Sequence, residues 1–372
     1  MNRRRIDLLD SFRCLACVSV MFYHFVFRWN TLLPQYDGFG GLFSQGYWGV
    51  ELFFVISGFV ISYTLENTEG PLVFFKHRFI RLFPPLLLCT LITFAVAACL
   101  DKDDVLPFAH DPKNLLPSLT LITPKLWARL THLPFFWING SYWSLWDEVQ
   151  FYALAALLYF TGKKNFLRNM LLASLALTLL KFLPDHLLDS PWRLRSLPGL
   201  TTPLKGMLEL NSIFHLVYTI LWFCLGTVFY RLYCGFRWKE HPWLTASFLL
   251  IPGLLCRDPS GHRQWAMVCF VLLLFGLLIY KRKWLSFLDI PLFRRIGIIS
   301  YSIYLLHEVI GVLLLIRLGP VFGRSPLLPL MLVVLFILFA ELLYRIYEKP
   351  VTRMLKKMLL RRNDAISTVP SG

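Results

Sequence analysis

"RCLACVSVMFYH", Arg13 to His24, is an apolar run that opens on an arginine and closes on a histidine, and its reading decides the fold. A membrane-spanning helix needs about 20 mostly apolar residues, and residues 9–28 supply them around this core. Nine further stretches come near the same standard: 46–65, 82–100, 144–161, 166–183, 211–231, 243–256, 265–280, 296–318 and 327–347. The expected fold is all-α, a polytopic integral membrane protein with about ten transmembrane helices. Composition agrees: the 372 residues are 56% hydrophobic and include 33 Phe and 12 Trp, and mean hydropathy is +0.58, far from a soluble domain.

Charge points to topology. The formal net charge of +16 sits in short clusters between apolar runs, not on one face or tail, which argues against a nucleic-acid partner. Lys and Arg concentrate at 3–5, 76–81, 163–168, 231–239, 281–295 and 349–362, all on the side of the N-terminus if ten spans are crossed. The other side carries fewer, including Arg193, Arg195, Arg257 and Arg263, over longer loops. The positive-inside rule therefore makes both termini cytoplasmic. "MNRRR" before an apolar run resembles a signal peptide, but Asp10, Arg13 and His24 and the lack of a small-residue cleavage site fit an uncleaved first helix. Residues 1–350 form the membrane domain, and 351–372 a basic cytoplasmic tail, partly disordered. The loops 101–143 and 184–210 are the long outer ones, and "LPFFWINGSYW" (133–143) suits a re-entrant or interfacial segment. Six of the eight cysteines lie in apolar segments, where thiols act as small hydrophobes. Cys14 and Cys17 lack two further ligands for zinc, and no metal is expected.

Charged groups inside spans are costly and mark function, and depth sorts them into two layers. The N-terminal side has Asp10 and Arg13, with Arg78 and Arg81 three residues apart on one face if their helix begins early. Guanidinium groups suit bidentate phosphate binding, though plain positive-inside anchoring explains the arginine pair as well. The outer layer has His24 late in an outward helix, and Glu51, Asp147 and Glu148 early in inward ones. A histidine there serves either as an interhelical hydrogen-bonding group or as a general base oriented by a carboxylate. His24 is the favoured base, Glu148 its favoured partner and Glu51 the second. Ser300, Tyr304 and His307 are spaced 4 and 3, so they line one helix face as polar packing or as a ligand pocket. Arg13 and His24 stand about 16 Å apart along the helix at 1.5 Å per residue. "FVISGF", with Ser57 and Gly58, reads as close helix packing.

Six ordered motifs resemble the membrane-bound acyltransferase family 3, which O-acylates surface glycans. Asp10-x-x-Arg13 followed by His24 is similar to its first-helix signature, and "GVELFFVISGFVI" to its second, with Glu51 where aspartate is usual. Arg78, Arg81 and Pro84 match an Arg-x-x-Arg-x-x-Pro element. "YWSLWDEVQFY" puts Glu148 on the family's glutamate, and "ISYSIYLLH" and "YEKP" place His307, Glu348 and Pro350. Ser11, Cys14 and Val149 depart from the pattern without removing a candidate group. Longer members carry an extracytoplasmic hydrolase-like domain for which this chain leaves no room.

The resemblance implies an acyl-CoA co-substrate, most often acetyl-CoA, used from the cytoplasm to acylate a hydroxyl of a surface or lipid-linked carbohydrate at a bacterial inner membrane. Arg13, Arg78 and Arg81, with Asp10, then hold the donor's phosphates. His24, Glu148 and Glu51 carry the chemistry. His307, Tyr304, Trp143 and Ser144 are the candidates for substrate contact. The remaining partners are membrane lipids, and no sequence feature sets an oligomeric state. A flippase moving a lipid-linked glycan would use the same buried charges without a donor, and an accessory subunit of a glycan-assembly complex is a third possibility.

Overall fold

The computed structural model describes residues 6–189, 198–235, 242–256 and 264–360. The charges placed at 3–5, 193, 195, 237, 239, 257, 263, 361 and 362, and the rest of the tail to residue 372, lie outside these. Among the described residues the chain is entirely helical, with turns and loops and no strand. The principal helices are α1 (Asp7–Phe22), α2 (Trp48–Glu66), α3 (Pro71–Leu100), α4 (Trp143–Thr161), α5 (Phe166–Asp189), α6 (Pro198–Ile213), α7 (Leu216–Tyr233), α8 (Pro242–Cys256), α9 (Gln264–Tyr280), α10 (Pro291–Phe322), α11 (Leu327–Leu343) and α12 (Lys349–Leu360). Leu249, Leu273 and Leu338 are each more than 60% exposed. Such an apolar exterior is what a lipid environment requires, since hydrocarbon and not water surrounds it. The chain is a multi-pass membrane protein.

Each of the ten expected segments is helical, but seven helical stretches among the described residues are long and apolar enough to cross a membrane, or eight with one bent pair. The shortfall has local causes. The first half of α4 is polar, with Ser144, Asp147, Glu148 and Gln150. The 15 residues of α8 span about 22 Å, short of a bilayer core of about 30 Å. After α9 the chain turns through 113° into Arg282–Leu288. The expected loop 184–210 is largely the end of α5 and the separate helix α6. Residues 351–360, assigned to the tail, form most of α12.

Helix starts follow backbone rules. Pro71 and Pro291 stand at the first turn of α3 and α10, where a missing N–H costs nothing. Because α3 begins at Pro71, Arg78 and Arg81 lie within the helix. Two glycine crossings draw the central helices together. A Cβ on Gly58 would stand 2.0 Å from the Phe223 carbonyl oxygen, and one on Gly226 2.0 Å from that of Val55, so α2 and α7 touch backbone to backbone. A Cβ on Gly297 would lie 1.8 Å from the Asp10 carbonyl oxygen, which presses α10 onto α1. Small residues permit this approach, the usual source of cohesion between helices in lipid. The close-packing role read for Gly58 is the one observed.

Candidate active site

The starts of α1, α3 and α10, the end of α2, and α12 together enclose a cavity of about 660 Å³. That volume is in the range of small-molecule sites. Arg13, His77, Arg78, Arg81, Lys349, Arg353 and Lys356 line it, against the acids Asp10 and Glu348. Neither acid neutralises the set. Asp10, 2% exposed, accepts a 2.7 Å hydrogen bond from Arg13 Nη1, and Glu348 accepts from Ser302. Arg78 lies 5.7 Å from the ring centroids of Phe74 and Tyr152, and its Nε and Nη1 are buried without a hydrogen-bond partner. Arg81, Lys349, Arg353 and Lys356 form no ion pair among the described residues. Unneutralised guanidinium and ammonium groups around one cavity attract a polyanion.

A narrow second cavity of about 70 Å³ shares Arg13, Val60, Arg81, Ser300 and Tyr301 with the first and continues inward past Ser57, Glu148, Ser144 and Tyr304. Glu148 is held in its wall by Ser57 Oγ, which donates at 2.9 Å, and by the Tyr152 hydroxyl. Ser144 and Tyr304 share a hydrogen bond of 2.8 Å, and the Tyr304 hydroxyl donates to the Ser141 carbonyl at 3.0 Å.

Beyond Tyr304 stand two histidines. The ring of His307 lies 5.5 Å from that of Tyr304 and 4.9 Å from that of His24. His24 is the second residue of a π-helical turn, Tyr23–Arg28, that continues α1, an irregularity that often marks functional sites. Backbone carbonyls determine where the protons sit. His307 Nδ1 is 2.8 Å from the Tyr304 carbonyl oxygen and must donate to it, so His307 Nε2 carries the lone pair. His24 Nδ1 lies 3.0 Å from both the Val20 carbonyl oxygen and His307 Nε2, so it also donates. The lone pair of His24 is thus on Nε2, 3.6 Å from Glu308 Oε1. A base with a fixed tautomer and a carboxylate beside its free nitrogen can accept a proton and stabilise the resulting imidazolium.

The loop before α4 completes this pocket. Asn139 Nδ2 donates to the Leu305 carbonyl at 2.9 Å, and Asn139, Ser141 and Tyr142 are buried, so part of "LPFFWINGSYW" enters the bundle as far as mid-α10. A Cβ on Gly140 would come within 2.9 Å of Glu308 Oε1 and 3.1 Å of Oε2. Only glycine leaves the carboxylate where it is.

The anticipated residues thus divide. Asp10, Arg13, Arg78 and Arg81 share the basic cavity; Ser144, Tyr304 and Glu148 share the narrow one; and His307 touches His24. The pairing of His24 with Glu148 is corrected: Glu148 is engaged by Ser57 and Tyr152, and the carboxylate at His24 is Glu308. Glu51 makes no hydrogen bond or ion pair with either histidine, and its Oε2 is buried without a hydrogen-bond partner. Trp143 does not line either cavity; its indole packs edge-on at 5.2 Å from His215, whose Nδ1 is 2.8 Å from the buried Asp147. Glu308 was visible in the sequence only as the neighbour of His307. Gly140 carried no signal, since its constraint arises from a residue 168 positions away.

The chain is thus a multi-pass helical membrane protein with a basic cavity at one end of the bundle, a narrow cavity adjoining it, and a histidine pair beside a carboxylate behind Tyr304. The model of one family, described as an acyltransferase domain, matches residues 6–345, and the chain belongs to this acyltransferase family 3. An "O-acetyl transferase" of Shigella phage Sf6 is 29% identical over 141 residues, 37% of this chain and 41% of that protein. The "Putative peptidoglycan O-acetyltransferase YrhL" of Bacillus subtilis (strain 168) is 27% identical over 41% of this chain and 23% of its own length. A "Putative O-acetyltransferase" of Staphylococcus aureus (strain COL) is 23% identical over 93% of this chain and 57% of its own. The chain therefore spans well under two thirds of each of these relatives. No solved structure matches it.

Proposed function

We propose that the protein is a membrane O-acetyltransferase that moves an acetyl group from cytoplasmic acetyl-CoA to a hydroxyl of a lipid-linked or surface carbohydrate, in a bacterial inner membrane with both termini cytoplasmic. The observation that carries the reading is the alignment of three features: a basic cavity, a narrow passage sharing Arg13 and Arg81 with it, and the His24–His307–Glu308 cluster behind Tyr304. Relatives named as O-acetyltransferases support the acetyl group and the oxygen acceptor. The donor's phosphates meet the arginines, and its extended pantetheine arm follows the passage toward His24, which stands roughly 16 Å along the helix from Arg13.

His24 Nε2 then takes the proton of the acceptor hydroxyl as its oxygen bonds to the thioester carbonyl carbon. Glu308 stabilises the imidazolium so formed. The carbon–sulfur bond breaks, and His24 returns the proton to the thiolate, leaving an ester, free CoA and an unchanged enzyme. Tyr304 and Ser144, tied to each other and to the Ser141 carbonyl, shape the path of the thioester, and Glu148 braces the passage wall through Ser57 and Tyr152.

The test is transfer from radiolabelled acetyl-CoA by purified protein in liposomes containing a lipid-linked glycan. Label on the glycan, dependent on the protein, is expected. Translocation of the glycan without label would replace this reading with a flippase.

A further inference from the structure

Six cations line the large cavity in two groups. Arg13 and Arg81 also line the narrow passage, with Arg78 one helical turn from Arg81; Lys349, Arg353 and Lys356 line the large cavity alone. The second group lies wholly on α12, at spacings of four and three, which puts the three side chains on one helix face. Thr352 and Leu360 of the same face line the cavity too. The opposite side of α12 exposes Met354 and Met358. The helix is fastened to the bundle where Lys76 Nζ donates at 3.1 Å to the Leu359 carbonyl. This helix lies beyond residue 345, where the match to the family ends.

Resting on the reading of an acyl-CoA donor, we infer that the Lys349, Arg353 and Lys356 face of α12 binds the ribose 3′-phosphate of the donor. The order of the cavities supplies the reason. The donor has two phosphate groupings: a diphosphate next to the pantetheine arm, and a monophosphate on the ribose further out. If the arm enters the narrow passage, the diphosphate falls to the cations that line both cavities, Arg13 and Arg81 with Arg78. The outlying phosphate falls to the cations that line only the outer one. Lys349, Arg353 and Lys356 are exposed but line the same cavity as Arg78 and Arg81, so a nucleotide whose diphosphate is held by those arginines directs its outer phosphate toward them.

Binding isotherms of the purified full chain in nanodiscs, with CoA and with 3′-dephospho-CoA as the two probes, test this directly. The unaltered protein is expected to bind CoA about tenfold or more tightly than 3′-dephospho-CoA, the effect of one or more charge-assisted hydrogen bonds. In a K349Q/R353Q/K356Q triple variant the two affinities should converge. These side chains are exposed or border the cavity, and size-exclusion elution checks that the variant remains folded. Equal affinities in the unaltered protein, or a triple variant that keeps the preference for CoA, overturn the inference while CoA binding itself leaves the donor reading standing. No binding of either probe overturns both. Repeating the isotherms in anionic and in zwitterionic nanodiscs separates the sources of phosphate: if the triple substitution changes only the dependence on anionic lipid, α12 holds headgroups and the inference fails.

Discussion

Replacing Glu308 by glutamine isolates the charge beside His24 without changing side-chain shape. His24 Nε2 and Glu308 Oε1 are 3.6 Å apart, with side-chain exposures of 11% and 6%, so water screens them little. At an effective dielectric constant of 20, a unit charge pair at that separation interacts by about 4–5 kcal/mol. The imidazolium exists only while the hydroxyl proton rests on His24, so this attraction acts on the transition state and hardly on the resting enzyme. A glutamine carbonyl returns part of it, leaving a loss of about 3–4 kcal/mol, or about 10²–10³ in kcat. The assay is initial-rate acetyl transfer from labelled acetyl-CoA in liposomes, at saturating donor, with KM for acetyl-CoA measured in parallel. We expect kcat to fall by that factor and KM to stay within about threefold, since the substitution lies far from the basic cavity. A Glu308→Asp variant, which keeps the charge at greater distance, should recover part of the rate. A Glu308→Gln enzyme within threefold of the unaltered kcat would refute the assignment of Glu308 as the stabilising carboxylate, and a loss confined to KM would move it to donor binding.

Three other substitutions probe separate parts of the structure. His24→Ala removes the base and should lower transfer by about 10²–10⁴-fold while the protein stays inserted and monodisperse by size exclusion; normal product would eliminate the proposed chemistry. Gly140→Ala places a methyl group against the Glu308 carboxylate and should reduce kcat by at least about tenfold, through displacement of that group, with thermal stability nearly unchanged; full activity would show that Glu308 can shift without consequence. Gly226→Ala forces a Cβ onto the Val55 carbonyl oxygen, an overpacking cost of about 1–3 kcal/mol, and a lower melting midpoint by fluorescence-detected size exclusion should report it; an unchanged midpoint would mean α2 and α7 separate freely.

What the residues bring together is of two kinds. Helix positions, the Asp10–Arg13 pair and the faces carrying Arg78 with Arg81 and Ser300 with Tyr304 and His307 are consequences of local periodicity, because residues three or four apart must share a helix face. Depth along a span is also legible: it put His24 and Glu148 in one layer. Depth does not say which helices are neighbours, and here the choice between carboxylates went to the one contributed by α10.

The sequence by itself determined that this chain is an all-helical membrane protein, which residues are polar inside it, and, through its motifs, the family to which it belongs. Only the tertiary structure decided that His24 meets Glu308 and His307 and that Glu148 is braced by Ser57 and Tyr152. It alone brought α12 around to close the basic cavity. The reason is physical: hydropathy and helical spacing act over a few residues, whereas the partner of a buried group is set by how helices hundreds of residues apart cross. At Gly297 and Gly58 that crossing depends on backbone contact made possible by the absence of a single methyl group.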